Sequence, residues 1–222
     1  MIHNMKIYFL GVPAIIGILF GVILLTSIDK TSDDLMILNK ENLLNGSTVL
    51  GNPDAKITII EFGDYQCTFC YKFHNDTMEK IYEKHVRKGD VNFIYKDFPL
   101  NGDASILASE ASYCAQQQGQ FWEYHDMLYD NWAGENTGWI TNNVLLGFAM
   151  DLGLNLEEFN FCMNNSTFHQ KVLDNEQFGK KINIDATPSF LILSGNEVYR
   201  IVGAQPFEKF EDVFQELENP KN

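Results

Sequence analysis

The sequence predicts an α/β protein: one sheet with helices on its faces, interrupted by a helical block. Three observations carry this. A β-branched run, a helical pattern and a second strand follow one another between Ile57 and Phe98. Two short strands and an amphipathic helix close the chain from Ser189 onward. The stretch between them has apolar residues at helical spacing and no strand pattern.

Taken in order, the chain opens with "IYFLGVPAIIGILFGVILLTSI", Ile7–Ile28, 22 residues without a charge. About 20 apolar residues cross a bilayer as a helix, whereas secretory signal cores are shorter, roughly 7–15. The run ends in Thr26-Ser27-Ile28-Asp29, a poor cleavage site, with no following cysteine for lipid attachment. It reads as an uncleaved transmembrane anchor; secretion after signal cleavage is the alternative. Lys6 precedes the run and Asp29, Lys30, Asp33 and Asp34 follow it. The positive-inside rule then makes residues 1–6 a cytoplasmic stub and places the rest outside the cytoplasm. Residues 29–47 are a polar tether with scattered leucines.

"ITIIEF", Ile57–Phe62, has the pattern of a strand buried on both faces. From about Thr68 to Lys88 the period is helical, with Met78, Ile81, Tyr82 and His85 on one face and Gly89 as the stop. "DVNFIYKDF" is the second strand, so the unit is βαβ with a parallel pair and a right-handed crossover. Helical stripes follow: Leu107, Ala111 and Cys114, then the aromatic "FWEYHDMLYDNW", then Val144, Leu145, Phe148, Ala149 and Leu152. His125, inside the aromatic segment, reads as structural. "SFLIL", a turn over Ser194–Glu197, and "VYRIVG" form a hairpin. The last helix starts at Pro206 and buries Phe207, Phe210, Phe214 and Leu217.

Composition sets limits. The 222 residues are 45% hydrophobic, enough for a core without disulfide support, so four cysteines are not a small-protein staple framework. The net charge of −14 repels a phosphate backbone and argues against nucleic acid as a partner.

The informative stretch is "EFGDYQCTFCYKF", which sets Cys67 and Cys70 at the junction of the buried strand and the first helix. Haem attachment requires C-x-x-C-H, and Tyr71 stands in the last place. Structural zinc requires four ligands, and Cys114 and Cys162 form no second C-x-x-C. Two thiolates suffice for Cu(I), although only His74 lies close by in sequence. The redox reading fits the context best. Cys67 falls at a helix N-terminus, where unpaired N–H groups stabilise a thiolate, and Cys70 sits one turn on. Glu61 interrupts the apolar strand six residues before Cys67. It is either an edge carboxylate reaching solvent or a buried acid that exchanges a proton with Cys70. Cys114 and Cys162 are either a structural disulfide within the helical block or two buried free thiols.

With "LGNPDAKITIIEFGDYQCTFC", "VNFIYKDFPL", "ASYCAQQQGQFWEYHDMLYDN" and "INIDATPSFLIL" in this order, the chain resembles the DsbA-like branch of the thioredoxin superfamily over about residues 48–217. The resemblance implies a thioredoxin-like fold over 48–100 and 182–222, with a helical domain inserted over 101–181. It implies protein thiol–disulfide oxidoreductase activity on exported proteins, with Cys67 as exposed nucleophile and Cys70 as buried resolving partner. It also implies Pro188 as a cis-proline that points the Thr187 backbone at a bound peptide, and it favours the proton-transfer role for Glu61. Thr68 and Phe69, expected to meet the substrate, stand where the well-known oxidases have Pro-His. Exchange through a mixed disulfide needs no organic cofactor and no metal. The expected partners are reduced exported proteins as substrates, the membrane through the N-terminal helix, and a membrane quinone-linked thiol oxidase that regenerates the disulfide. A reductase or isomerase is one alternative. A second function class is a non-catalytic chaperone or copper-transfer module in which Cys67 and Cys70 act as ligands.

Overall fold

A computed structural model describes residues 43–44 and 46–218. The expected stub, the anchor over 7–28 and most of the tether lie outside them. Among the described residues, no helix is long and apolar enough to cross a membrane.

The strand read from "ITIIEF" is β2, Ile57–Gly63, buried at every position. It pairs in parallel with β3, Val91–Asp97, from Ile57 opposite Val91 to Gly63 opposite Asp97. The crossover is α1, one continuous helix through Thr68–Phe73, His74–Met78, Glu79–Ile81 and Tyr82–Val86. Its second and fourth segments are π-helical. The expected apolar face is therefore displaced. Met78 and Ile81 are buried, but Tyr82 is exposed and Val86 takes the inward place. The wider π turns rotate the helix surface away from the 3.6-residue period that the sequence pattern assumes.

The hairpin is β4, Ser189–Ser194, and β5, Glu197–Val202, with β4 antiparallel to β2. A short strand not read from the sequence, β1, Val49–Leu50, lies antiparallel on β3. The sheet order is β1-β3-β2-β4-β5, so β2 is the central strand. Between β3 and β4 come five helices: α2, Asp103–Gln116; α3, Phe121–Asp130; α4, Asn142–Asp151; α5, Leu156–Asn164; and α6, His169–Lys181. The closing helix is α7, Phe207–Glu218. Side chains set two of the starts. Thr141 accepts from the N–H of Val144 ahead of α4, and Asn155 accepts from those of Glu157 and Glu158 ahead of α5.

Strand alternation divides the core. Ile57, Ile59, Phe93, Phe190 and Ile192 face α1 and α7, where Phe73, Phe210 and Phe214 meet them. Ile60, Phe62, Ile94, Leu191 and Leu193 face the other way, toward Phe98, Ile182 and Ile184. Helix α6 reaches this second face at Gly179. A Cβ there would stand 2.7 Å from the Phe98 ring, so the close approach needs glycine. The helical block shares the first core, with Phe121, Tyr124, Leu145 and Phe159 in it. Cys114 of α2 and Cys162 of α5 are joined by a disulfide across a sequence separation of 48. Closing a loop of that length stabilises the fold by about 4 kcal/mol on the chain-entropy account.

Candidate active site

The junction of β2 and α1 is tied down by one buried carboxylate. Asp64 accepts from the N–H of Gln66 at 2.8 Å, the N–H of Asn101 at 2.7 Å and the Ser105 hydroxyl at 2.6 Å. The Gln66 amide in turn donates to the Asn101 carbonyl and to Ser105 Oγ. Burial pushes the Asp64 carboxyl above its ordinary range, and the three donors pull the other way. The Cys67 N–H donates to the Asp64 carbonyl at 3.0 Å, and the carbonyl of Cys67 accepts the first turn of α1 from Tyr71. Cys67 is thus the N-cap of α1, with extended backbone and no side-chain cap.

Cys67 and Cys70 are both reduced and buried, Cys70 completely and Cys67 with a 6% exposed edge. Their acidities are driven apart. The Cys67 thiol is lowered from 9.0 to about 6, first by the Cys70 thiol, which donates to its sulfur. Burial opposes this, while the Thr187 side chain and the N–H groups of Cys70 and Phe69 add to it. The helix N–H groups expected from the sequence contribute, but the neighbouring thiol contributes more. Burial pushes Cys70 well up, helped by the bond to Cys67 and by the nearby charges of Glu61 and Cys67.

Thr187 and Pro188 lie beside the pair, joined by a cis peptide bond. The Cys67 thiol donates to the Thr187 carbonyl at 3.4 Å. Ionisation removes that donor and frees the carbonyl. Thr68 is partly buried, whereas Phe69 is 58% exposed and presents an apolar ring next to the cysteines.

Glu61 sits on the central strand, opposite Tyr95 and Phe190, and is fully buried with Oε1 unpartnered. The edge-carboxylate alternative does not apply. Desolvation raises its carboxyl well above 4.5, and a Cys67 thiolate raises it further. Several buried phenols lie near this acid: Tyr95 is its strand partner, and its charge adds to the burial that raises Tyr65 and Tyr129. Burial lifts the phenols of Tyr95 and Tyr129, and the charge of Cys70 adds to both. Tyr129 donates to the Asp64 carbonyl, and Tyr65 is hydrogen-bonded to Nδ1 of the buried His125 at 3.1 Å. His125 therefore packs as the sequence reading expected, its imidazole held well below the ordinary range by burial.

The helical block supplies groups that the sequence reading missed. Trp132 stacks on Tyr71 with ring centres 4.5 Å apart and donates its indole N–H to the Gln66 carbonyl at 2.9 Å. Glu135 accepts from the N–H of Thr68 at 3.2 Å and from its hydroxyl at 3.1 Å. A carboxylate from the insertion thus takes one of the first N–H donors of the helix that carries Cys67. No pattern around Glu135 signals this, because the contact spans 67 residues.

Comparison with known proteins gives a consistent result. The family model described as Thioredoxin matches residues 44–213. Disulfide bond formation protein D of Bacillus subtilis is 30% identical over 167 residues, covering 74% of this chain and 75% of that protein. The crystal structure of oxidised BdbD from Bacillus subtilis superposes with a TM-score of 0.71 at 29% identity, over 79% of this chain and 95% of that one. That of Wolbachia pipientis alpha-DsbA1 gives 0.69 at 25% identity, over 78% and 92%.

A negative charge at a helix N-terminus opposes a second one there. We predict that Glu135→Gln lowers the Cys67 pKa by a few tenths of a unit, since such charge–dipole interactions are worth about 0.3–1 kcal/mol. Thiolate absorbance followed against pH measures it, and an unchanged or higher midpoint refutes the coupling.

Proposed function

Because the chain belongs to the thioredoxin family, as a DsbA-like thiol–disulfide oxidoreductase, we propose that it acts as an oxidase on exported proteins outside the cytoplasm, held there by Ile7–Ile28. The opposed acidities of Cys67 and Cys70 are the observation that carries the oxidase reading. The anchor rests on the uncharged run and the lone Lys6 before it. On this reading residues 48–100 and 182–222 carry the redox site and 101–181 frame it.

The cycle needs only sulfur and protons. A client thiolate attacks Cys67 Sγ of the Cys67–Cys70 disulfide. A client–Cys67 bond forms, and Cys70 leaves with the electron pair. The leaving thiolate has a high proton affinity and takes a proton, which Glu61 supplies from its protonated, desolvated carboxyl. A second client thiolate then attacks the client sulfur. The client disulfide forms and Cys67 departs as a stabilised thiolate. Two electrons now reside on the Cys67–Cys70 pair, to be removed by a membrane quinone-linked thiol oxidase. Thr187, freed at its carbonyl, pairs with the client backbone as an added strand, and Pro188 holds it there. Thr68 and Phe69 contact the client beside the attacked sulfur.

Thiolate stability sets direction. A Cys67 value of about 6 lies between those of thioredoxin, about 7, and DsbA, about 3.5, so the potential should fall between about −270 and −120 mV. The linkage to pH has a definite sign. The folded pKa is below the unfolded one, so the stabilisation of the reduced form is complete near pH 9 and is lost as pH falls through about 6. Above pH 9 the raised Cys70 pKa acts in the opposite sense, because an unfolded thiol ionises there and the buried one does not. Between these limits the reduced domain should be more stable than the one with the Cys67–Cys70 bond, with Cys114–Cys162 intact in both. Denaturant melts at pH 7, a glutathione redox titration and client trapping by Cys70→Ser test the reading together. A more stable oxidised form, or a Cys70→Ser variant that binds copper and traps no protein, would overturn it.

Glu61→Gln keeps the shape and removes the titrating proton. It should slow single-turnover exchange about a hundredfold and abolish the fall in rate that the wild type shows as pH rises through the carboxyl's pKa. Unaltered rates and an unaltered pH profile would confine Glu61 to packing.

The topology has its own test. Protease added to spheroplasts should degrade the domain after residue 47 while a cytosolic marker survives; a fully protected domain rejects the orientation.

A further inference from the structure

Among the described residues, one cluster of metal-ligating side chains lies outside the cysteine site. His74 of α1 and His125 and Asp126 of α3 each bring one ligand atom within 4.8 Å of the others. His74 Nδ1 is buried and has no hydrogen-bond partner. Its Nε2 lies 3.8 Å from Asp130 Oδ1, an ion-pair distance beyond hydrogen-bond reach. In His125 the Nδ1 is committed to the Tyr65 hydroxyl. When that nitrogen carries the proton and donates to the tyrosine oxygen, Nε2 presents its lone pair. His125 thus has one nitrogen fixed by an outer partner and the other available, the arrangement that holds histidine ligands in metal sites, and His74 keeps a buried nitrogen without a partner.

Access and charge fit the same reading. His74 and Asp126 line a groove of about 550 Å³ that also carries Glu79, Glu123 and Asp130. Four carboxylates thus surround the His74 imidazole, with no lysine or arginine among the lining residues, and His125 lies buried behind it. The π-helical part of α1 begins at His74. It is there that the helix surface turns relative to the α-helical Thr68–Phe73 segment, and wide turns of this kind are frequent at functional sites.

We propose that His74, His125 and Asp126 form a binding site for a divalent transition-metal ion of the zinc class, separate from Cys67 and Cys70. Two imidazoles and one carboxylate suit that class, with the fourth position open to the groove. Ligand atoms on zinc stand about 3.4 Å apart given bonds of 2.0–2.2 Å, so the exposed Asp126 carboxylate swings inward on binding. The ion would clip α1, one turn beyond Cys70, to α3 of the helical block. It would act on the stability of that junction and take no part in thiol exchange.

The test uses the full chain with the Cys67–Cys70 disulfide formed, so that thiolates do not compete for metal. After chelator treatment, zinc is titrated calorimetrically and cobalt by visible absorption. One ion per chain is expected, with a raised thermal midpoint and cobalt d–d bands free of sulfur charge-transfer absorption. His74→Ala and Asp126→Asn should each weaken zinc at least about tenfold. Asp126 is exposed, so its substitution tests the site even where replacing His74 harms folding. Absence of one-to-one binding in the wild type, or zinc affinity unchanged in Asp126→Asn, overturns the proposal.

Discussion

The site depends on one hydrogen-bonded knot, the buried carboxylate of Asp64. It takes three donors from two separate segments, and its own backbone carbonyl receives the N–H of Cys67. A buried carboxylate left without such donors would cost far more than a lost hydrogen bond. The cheapest arrangement is therefore the one that brings the end of β2, the segment after β3 and the start of α2 together. That arrangement also stops the strand at Gly63 and makes Cys67 the first cap of α1. Cys67 is positioned by a buried carboxylate that touches neither sulfur through its side chain.

Once the junction is fixed, burial separates the two thiols. They share one hydrogen bond, yet it lowers Cys67 and raises Cys70, since a donor stabilises the neighbouring thiolate at the expense of its own. The fully enclosed Cys70 cannot recover the loss from water. Glu61, on the central strand β2, adds a third buried proton site. Beyond burial, a Cys67 thiolate raises Glu61, and the charges of both raise Cys70, so the cluster releases its protons in coupled steps. In the proposed cycle such coupling would let a proton meet the leaving Cys70 thiolate as its bond to Cys67 breaks.

Much of this was legible in the sequence, and the reason is local. The β-branched "ITIIEF" run, the parallel partner at "VNFIYKDF" and the closing hairpin are read from residues that pack against their own period. The placement of Cys67 at the helix N-terminus with Cys70 one turn on was legible because it follows from a three-residue spacing at a strand–helix junction. The face of α1 was misread at Tyr82, because π turns follow from tertiary packing and leave no mark in a 3.6-residue stripe. Strand β1 escaped because two residues carry no period. The Asp64 knot, the phenols of Tyr95 and Tyr129, Trp132 and Glu135 escaped for another reason. Each acts on a partner more than 30 residues away, through a side chain whose type is common on any surface or in any core.

The residues that were missed share an origin. Apart from Asp64 and Tyr95, they come from α3 and the loop after it, inside the helical block. Trp132 packs on the helix that carries the cysteines, Tyr129 donates to the Asp64 carbonyl and feels the charges of Cys70 and Glu61, and Glu135 reaches the N–H of Thr68. A five-stranded sheet with only α1 and α7 on this face would leave Glu61 and Cys70 open to water at that end. Water would remove the desolvation that raises Glu61 and Cys70 and so narrow the gap between the two thiols. The insertion thus acts as the dry wall of the redox site. Its polar contacts at Thr68 and Gln66 let it adjust the helix N-terminus without touching either sulfur. Variation in this block can therefore change the oxidising strength of the pair while Cys67, Cys70 and the sheet stay as they are.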